Sequence, residues 1–230
     1  MMIRPPEATD EASMREADEV MSPFSFSLDL APDEPFEQWL QRCRADEMGD
    51  VPEGRVPALF RLAEVEGQLL GRVSVRLVLN DWLAKYGGHV GYGVLPHHRR
   101  KGVATALLRE ALFILHAHNV EQALVVCDED NEASARVAQA LGGVLAERAV
   151  DEGDRPIRHY LVPTPPVSTD RLVTVSIMRS IPIHCRSKNR PSSSPRQTRF
   201  SRWRLPLKLK DQLSSARCFG EWPWSQCLLS

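Results

Sequence analysis

A run of basic residues stands immediately before a glycine and an apolar stretch near the middle of the chain. The basic residues are Arg99, Arg100 and Lys101, and Gly102 follows them. From Val103 onward the apolar residues have helical spacing. Glycine lets backbone approach a ligand closely, and the first turn of a helix offers unpaired N–H groups and the positive end of a dipole. The pattern predicts a phosphate-binding turn, the alternative being a solvated basic turn with Gly102 as a tight connection.

The cysteines and histidines show no metal-ligand spacing. The five cysteines lie at positions 43, 127, 185, 218 and 227, with no C-x-x-C pair and no histidine-rich partner segment. Neither a zinc site nor a disulfide framework is expected. We therefore expect no bound metal, and Cys127 is expected to pack as a small apolar side chain.

Charge is divided unevenly along the 230 residues, although the net charge is −1. Residues 167–230 hold 12 of the 29 Lys and Arg but 3 of the 30 Asp and Glu, so residues 1–166 are acidic. An acidic body argues against a nucleic-acid-binding core, whereas the basic tail could contact an acidic partner. No signal peptide and no long apolar run is found, which favours a cytoplasmic protein without membrane association.

The periodicity predicts alternating strands and helices that would position the basic turn. The predicted strands cover 58–65, 69–79, 89–94, 122–127, 144–150 and 157–162, and the predicted helices cover 11–20, 36–43, 102–118 and a segment led by Asn131. The hairpin at 58–79 turns at Glu66-Gly67 and should have one buried face and one polar face. Beyond Pro166 the basic, Pro/Ser/Arg-rich tail shows no sustained periodicity, so 167–230 is predicted to be a poorly structured, disordered extension of a domain at 1–166.

Taken in order, the motifs resemble a known enzyme family. A strand ending in Val94-x-Pro96, followed by Arg99-x-x-Gly102-x-Ala104 and later by the Asn131-led helix ending in Leu141-Gly142-Gly143, is similar to the GNAT N-acetyltransferase superfamily. Further segments resemble an uncharacterised bacterial branch of predicted acetyltransferases. The resemblance implies the α+β acyl-CoA N-acyltransferase fold, with a mixed, mainly antiparallel sheet of six or seven strands flanked by helices.

The resemblance also implies acetyl-CoA as co-substrate and a set of residues that bind it. Backbone N–H groups from Arg100 to Thr105 would hold the pyrophosphate, and the backbone of Val94 and Leu95 would hold the pantetheine arm and thioester. The implied cofactor-binding residues are Val94, Leu95, Arg99, Arg100, Lys101, Gly102, Val103, Ala104, Thr105 and Asn131. For Asn131 the alternative is a plain helix N-cap, and the two roles are compatible.

Catalytic residues are harder to assign. Many relatives carry a tyrosine acid on the Asn-led helix, but that position is Ala138 here, so Tyr92 or water would have to replace it. His89 stands where relatives place an acidic residue and could act as a base, the alternative being a histidine satisfied by hydrogen bonds at a sheet edge. Glu64 and Asp128 are weaker candidates, since lone carboxylates at strand ends are usually solvated.

The expected function is transfer of acetyl from acetyl-CoA to a primary amine of a small molecule or protein, by direct nucleophilic attack. The missing tyrosine leaves a non-catalytic CoA-binding module as one alternative. A second alternative gives the main role to the basic tail, as an arm that binds nucleic acid or a partner protein.

Overall fold

The computed structural model describes residues 1–165, in which seven strands and four α-helices alternate. The strands are β1 (Met2–Arg4), β2 (Ala58–Val65), β3 (Gln68–Arg76), β4 (Val90–Val94), β5 (Gln122–Asp128), β6 (Val144–Val150) and β7 (Pro156–Pro163). The helices are α1 (Glu11–Met21), α2 (Phe36–Met48), α3 (Val103–Ala117) and α4 (Glu132–Ala140). The predicted α+β fold with six or seven mainly antiparallel strands flanked by helices is confirmed.

The seven strands divide between two sheets. The first has the order β1-β2-β3-β4 and the second the order β5-β7-β6, and every registered strand pair is antiparallel. Strands β4 and β5 are each the last strand of their sheet. Within residues 1–165, the outer edge of β4 and the outer edge of β5 therefore have no paired strand.

The helices cover both faces of the first sheet because successive residues of a strand point to opposite sides. In β2, Leu62 packs with the apolar residues of α1 and α2, whereas Ala63 packs with those of α3. Helix α3 is apolar nearly all round, and Leu107, Leu108 and Leu115 are completely buried. The domain therefore has α1 and α2 on one side of the sheet and α3 and α4 on the other.

The second face of the first hairpin is polar, as predicted, but it is buried as well. The whole of β3 after Gln68 is buried, and the Arg72 and Arg76 side chains are only 2% and 6% exposed. Arg72 donates to the carbonyls of Phe26 and Gly91, and Arg76 donates to those of Gly87 and Gly88. Polar residues that alternate along a strand normally indicate a face exposed to solvent. Here α1 and the loop after it cover that face, and backbone carbonyls accept hydrogen bonds from the guanidinium groups.

Other local predictions agree with the structure to within a few residues. The helix predicted at 11–20 is α1, and the link at 80–88 contains one π-helical turn at Leu83–Gly87. Strand β1 was not predicted, because three residues carry too little pattern. The proposed tail at 167–230 lies outside the described residues. No helix between residues 1 and 165 combines the length and apolar character needed to cross a bilayer.

Candidate functional site

The edges of β4 and β5 meet at one end only. The N–H of His89 donates to the carbonyl of Leu124 at 2.7 Å, and the N–H of Leu124 donates to Nδ1 of His89 at 2.9 Å. Gly88 permits this contact, since a Cβ there would lie 2.5 Å from the Leu124 oxygen. Beyond this point β4 and β5 form no ladder. A gap therefore opens between two strand edges, and we call it the β4–β5 gap.

Hydrogen-bond alternation determines which backbone groups of β4 face the β4–β5 gap. At one end the carbonyl of His89 accepts from Arg76, and at the other the N–H of Leu95 donates to the Leu70 carbonyl at 3.0 Å. Antiparallel pairing alternates, so the carbonyl of His89 and the odd-numbered residues from 91 to 95 bond to β3, and the even-numbered residues turn outward. The N–H of Val94 consequently points into the gap.

Leu95, expected to share this role, has its backbone engaged elsewhere. Its N–H is bound to Leu70, as described, and its carbonyl accepts from the N–H of His98 at 2.8 Å. The cause is the same alternation, which turns Leu95 toward β3 and Val94 toward the gap. Of the two, Val94 alone therefore has an N–H directed into the gap.

The turn between β4 and α3 leaves a helix N-terminus open. Arg100 and Gly102 both adopt left-handed conformations, with φ of 62° and 82°. Such a conformation is uncommon for a non-glycine residue and costs roughly 1 kcal/mol. No side chain caps α3, and a Cβ on Gly102 would have no atom within 4 Å in the described part of the chain. The N–H groups of Val103, Ala104 and Thr105 are therefore available to a ligand that approaches over Gly102.

The basic side chains surround this helix start. Arg99, Arg100 and Lys101 are exposed. Nε of Arg99 donates to the carbonyl of Val94 at 3.1 Å, so one guanidinium bridges the end of β4 and the turn. Positive charge, helix dipole and uncapped N–H groups thus favour an anion at one place.

Asn131 caps the N-terminus of α4. Its Oδ1 accepts from the N–H of Ser134 at 3.0 Å, as the N-cap interpretation expected. The amide nitrogen of this half-buried side chain makes no hydrogen bond within residues 1–165, so its two N–H donors remain for a ligand.

The side chain of Tyr92, on β4, lies near the N-terminus of α4. Its hydroxyl is buried near Cys127 and beside the Ser134 side chain, whose hydroxyl is its nearby hydrogen-bonding group. Burial raises the pKa of Tyr92 to about 12, so the phenol stays protonated at neutral pH. Ala138, the position of the family's usual tyrosine, is completely buried and lies one turn after Ser134.

His89 does not have the geometry of a general base. Burial, with a contribution from the nearby charge of Arg76, lowers the pKa of His89 to about 4. The neutral ring has one lone pair, on Nδ1, and that lone pair already accepts the N–H of Leu124. The arrangement corresponds to the sheet-edge alternative, in which His89 joins β4 to β5.

This arrangement predicts a defined pH dependence of stability. A histidine whose folded pKa lies below its unfolded value stabilises the protein above pH 6.5, and this contribution is lost as the pH falls toward 4. The wild-type melting temperature should therefore fall by several degrees more over this range than that of His89→Asn, whose amide oxygen can still accept from Leu124. His97→Asn, at an exposed ring, is the control. Parallel curves for His89→Asn and wild type would contradict the assignment.

Of the weaker carboxylate candidates, one is buried and the other is paired. Glu64 is ion-paired with Arg4 on β1. Asp128, expected to be solvated, is only 5% exposed, and its Oδ1 has no hydrogen-bond partner among residues 1–165. A strand end predicts exposure only if no other segment covers it, and Asp128 is covered.

The cysteines of the described region are free, and Cys127 is buried as predicted. Burial raises the pKa of Cys127 to about 11, which leaves the thiol protonated and unreactive at neutral pH. No group of three or more His, Cys, Asp and Glu side chains that could hold a metal ion occurs between residues 1 and 165.

Comparison with known proteins places this geometry in a family. Residues 1–144, more than half of the chain, match the family described as the acetyltransferase (GNAT) domain. The chain belongs to the GNAT acetyltransferase family. The resemblance identified from the motifs and the enzyme class that it implies, acyltransferase, are thereby confirmed. No protein of curated function matches the sequence.

Solved structures with the same fold are distant in sequence. yncA of Salmonella typhimurium, assigned as an acetyltransferase and solved with its cofactor acetyl-CoA, is 16% identical with a TM-score of 0.50; the match covers 73% of this chain and 95% of that one. The spermidine N-acetyltransferase SpeG of Vibrio cholerae, as its F149A mutant, is 14% identical with a TM-score of 0.51, covering 71% and 95%. The ribosomal-protein-alanine N-acetyltransferase of Brucella melitensis is 16% identical with a TM-score of 0.52, covering 71% and 99%.

Proposed function

We propose that residues 1–166 of this GNAT protein transfer the acetyl group of acetyl-CoA to a primary amine by direct attack. The observation that carries the proposal is the uncapped N-terminus of α3 at the open end of the β4–β5 gap. A diphosphate needs several converging donors, and an extended amide-containing arm needs an unpaired strand edge. This chain offers both within a few residues. The acetyl-CoA of yncA supports the choice of donor.

Each part of the donor has candidate binding groups. The N–H groups of Val103, Ala104 and Thr105 would hold the diphosphate, with Arg100 and Lys101 supplying charge. The N–H of Val94 would donate to the thioester oxygen, and the amide of Asn131 would bind the arm from the N-terminus of α4, on the β5 side of the gap. Acetyl-CoA supplies a thioester carbonyl, which an amine attacks as the C–N bond forms and the C–S bond breaks.

Val94 and Tyr92 have separate tasks in this reaction. Negative charge develops on the carbonyl oxygen during attack, and the Val94 N–H, fixed by the β3–β4 ladder, is oriented to stabilise it. The leaving sulfur needs a proton, and the buried Tyr92 hydroxyl is a donor that stays protonated at neutral pH. Tyr92 thus takes the part for which relatives use a tyrosine on the helix after β5.

Replacing Tyr92 by phenylalanine should affect activity much more than stability. Removing a buried hydroxyl that lies beside Ser134 should change the free energy of unfolding by no more than about 1 kcal/mol. Loss of the proton donor should lower kcat by roughly 10- to 100-fold. Denaturant unfolding and steady-state kinetics measure the two effects, with Tyr86→Phe as control. A variant that keeps full kcat, or that loses kcat only together with several kcal/mol of stability, would contradict this role for Tyr92.

The acceptor is an amine whose identity is open between small molecules and proteins. The structural neighbours named for spermidine and for a ribosomal-protein alanine define two useful probes. The test begins with calorimetry of acetyl-CoA binding to the full chain. Release of free thiol is then measured with spermidine, with an alanine-initiated peptide and with a broader panel of amines.

The possible results separate the proposal from its alternatives. Micromolar binding followed by amine-dependent thiol release is the expected result. Binding without turnover for any amine would select a non-catalytic CoA-binding module. Absence of binding would overturn the proposal and turn attention to the basic tail, for which salt-sensitive binding to nucleic acid is the corresponding measurement.

A further inference from the structure

The side chain of Asp128 lies on the face of β5 that is turned away from α3 and α4. Alternate residues of β5 belong to the core cluster that includes those helices, namely Ala123, Val125 and Cys127. Because neighbouring residues of a strand point to opposite faces, Asp128 projects to the other face. On β4 the residues of that face are Gly91 and Gly93, while Val90, Tyr92 and Val94 pack with the cluster.

Two contacts show that Asp128 is level with the end of β4. His89 bonds to Leu124, and three residues further along each strand Tyr92 lies near Cys127. The two strands therefore run in the same direction on either side of the β4–β5 gap. One residue further, Asp128 stands across the gap from Gly93, next to the level of the Val94 N–H.

The surroundings of Asp128 leave its carboxyl group incompletely satisfied. Oδ1 is buried without a hydrogen-bond partner, which is costly for a charged oxygen. The charged groups around it are Arg155, Asp130 and Asp151, and His159 lies diagonally across on β7, on the same face. Across the gap, the guanidinium groups of Arg72 and Arg76 cover that face of β4 at Gly91 and Gly93. Burial is the main reason that the pKa of Asp128 is raised to about 6, with Asp130 and Asp151 adding to the effect and Arg155 opposing it.

We propose that Asp128 is the general base that accepts the proton of the attacking amine. The proposal rests on the acetyltransferase function proposed above. Glycines at 91 and 93 leave β4 without an acidic side chain on this face, and Asp128 supplies a carboxylate from the opposite edge of the gap. As the amine nitrogen bonds to the carbonyl carbon, its proton passes to Asp128. The C–S electron pair leaves with sulfur, which is protonated by Tyr92 or solvent.

The decisive experiment compares two nucleophiles in Asp128→Asn. An alkylamine such as spermidine is protonated at neutral pH and needs a base, whereas hydroxylamine is largely unprotonated and needs one much less. At pH 7.5 the variant should lose about 100-fold in kcat/KM with the best alkylamine of the panel and much less with hydroxylamine. The wild-type kcat/KM should also fall as the pH drops through about 6. Asp50→Asn, at an exposed carboxylate after the end of α2, should keep both activities.

Equal losses with the two nucleophiles would indicate a structural role and overturn the proposal, as would full activity with the alkylamine. A second readout needs no turnover. A carboxyl group whose folded pKa exceeds its unfolded value loses stabilising effect as the pH rises through the interval from 3.8 to about 6. Asp128→Asn should therefore melt above wild type at pH 7.5, and the difference should shrink below pH 4. If the difference in melting temperature between Asp128→Asn and wild type does not change with pH, the raised pKa of the buried Asp128 carboxyl group is wrong.

Failure of this inference can be distinguished from failure of the proposed function. If amines are acetylated and Asp128→Asn retains its activity, the role of Asp128 as general base is wrong and the proposed acetyltransferase function stands. If acetyl-CoA binds and no amine, hydroxylamine included, is acetylated by the wild-type protein, the proposed function falls and the base assignment falls with it.

Discussion

Gly102→Trp should abolish acetyl-CoA binding, with a loss in affinity of at least about 1000-fold. The indole would stand above the N-terminus of α3, where the N–H groups of Val103 to Thr105 would otherwise reach the diphosphate. Those donors supply most of the expected anion affinity, and a bulky group blocks all of them together. Isothermal titration calorimetry with acetyl-CoA measures the effect directly.

The control has to separate blockage from backbone strain, because any side chain at φ of 82° is strained. Gly54→Trp is matched in this respect, since Gly54 has φ of 88° and equally open space around its Cβ position. Gly54 precedes β2 at the end of the sheet where Ala58 pairs with Arg76, whereas α3 begins beyond the opposite end. Gly54→Trp should bind acetyl-CoA normally. If Gly102→Trp and Gly54→Trp bind acetyl-CoA with equal affinity, the proposal that the N-terminus of α3 binds the diphosphate is wrong.

Val94→Pro should reduce kcat by about 10²- to 10³-fold while retaining much of the affinity for acetyl-CoA. Proline deletes one N–H, and at this position that N–H is the one directed at the thioester oxygen. The alternation along β4 means that the β3–β4 ladder does not use this donor, so the strand can persist. The preceding residue is Gly93, which tolerates the backbone restriction that proline imposes.

Val94→Ala provides the comparison for Val94→Pro, because Val94 is buried and any replacement disturbs packing. The alanine variant keeps the N–H and should lose stability without losing more than a few-fold in kcat. Melting temperatures of both variants show whether packing has been disturbed equally. If alanine lowers kcat as strongly as proline does, the oxyanion role of the Val94 N–H is wrong.

The sequence predicted the local parts of the site better than the arrangement between them. The turn before α3 is encoded by adjacent residues, so Arg99 to Gly102 could be identified from type and order alone. Asn131 as an N-cap was readable for the same reason. These features depend on residues within four or five positions of each other, where local sterics and helix-end chemistry dominate.

The features that were misjudged or left open depend on segments that meet only in the folded chain. A polar face was predicted for the first hairpin, but not that carbonyls of the loop after α1 would bury its Arg72. His89 was open between a base and a sheet-edge residue, and its lone pair is occupied by a residue 35 positions away. Asp128 was expected to be solvated and is buried. No pattern along the chain records which distant backbone covers a polar side chain.

The separation of β4 from β5 also affects the tendency of the protein to aggregate. An unpaired strand edge normally invites another polypeptide to add to the sheet, which is a route to aggregation. Here two such edges face one another inside one molecule and are tied together at His89 and Leu124. A second protein's strand would have to enter a gap that is closed at one end and overlain by α3 and α4. An opening suited to a thin, flexible ligand therefore also protects both edges from intermolecular strand pairing.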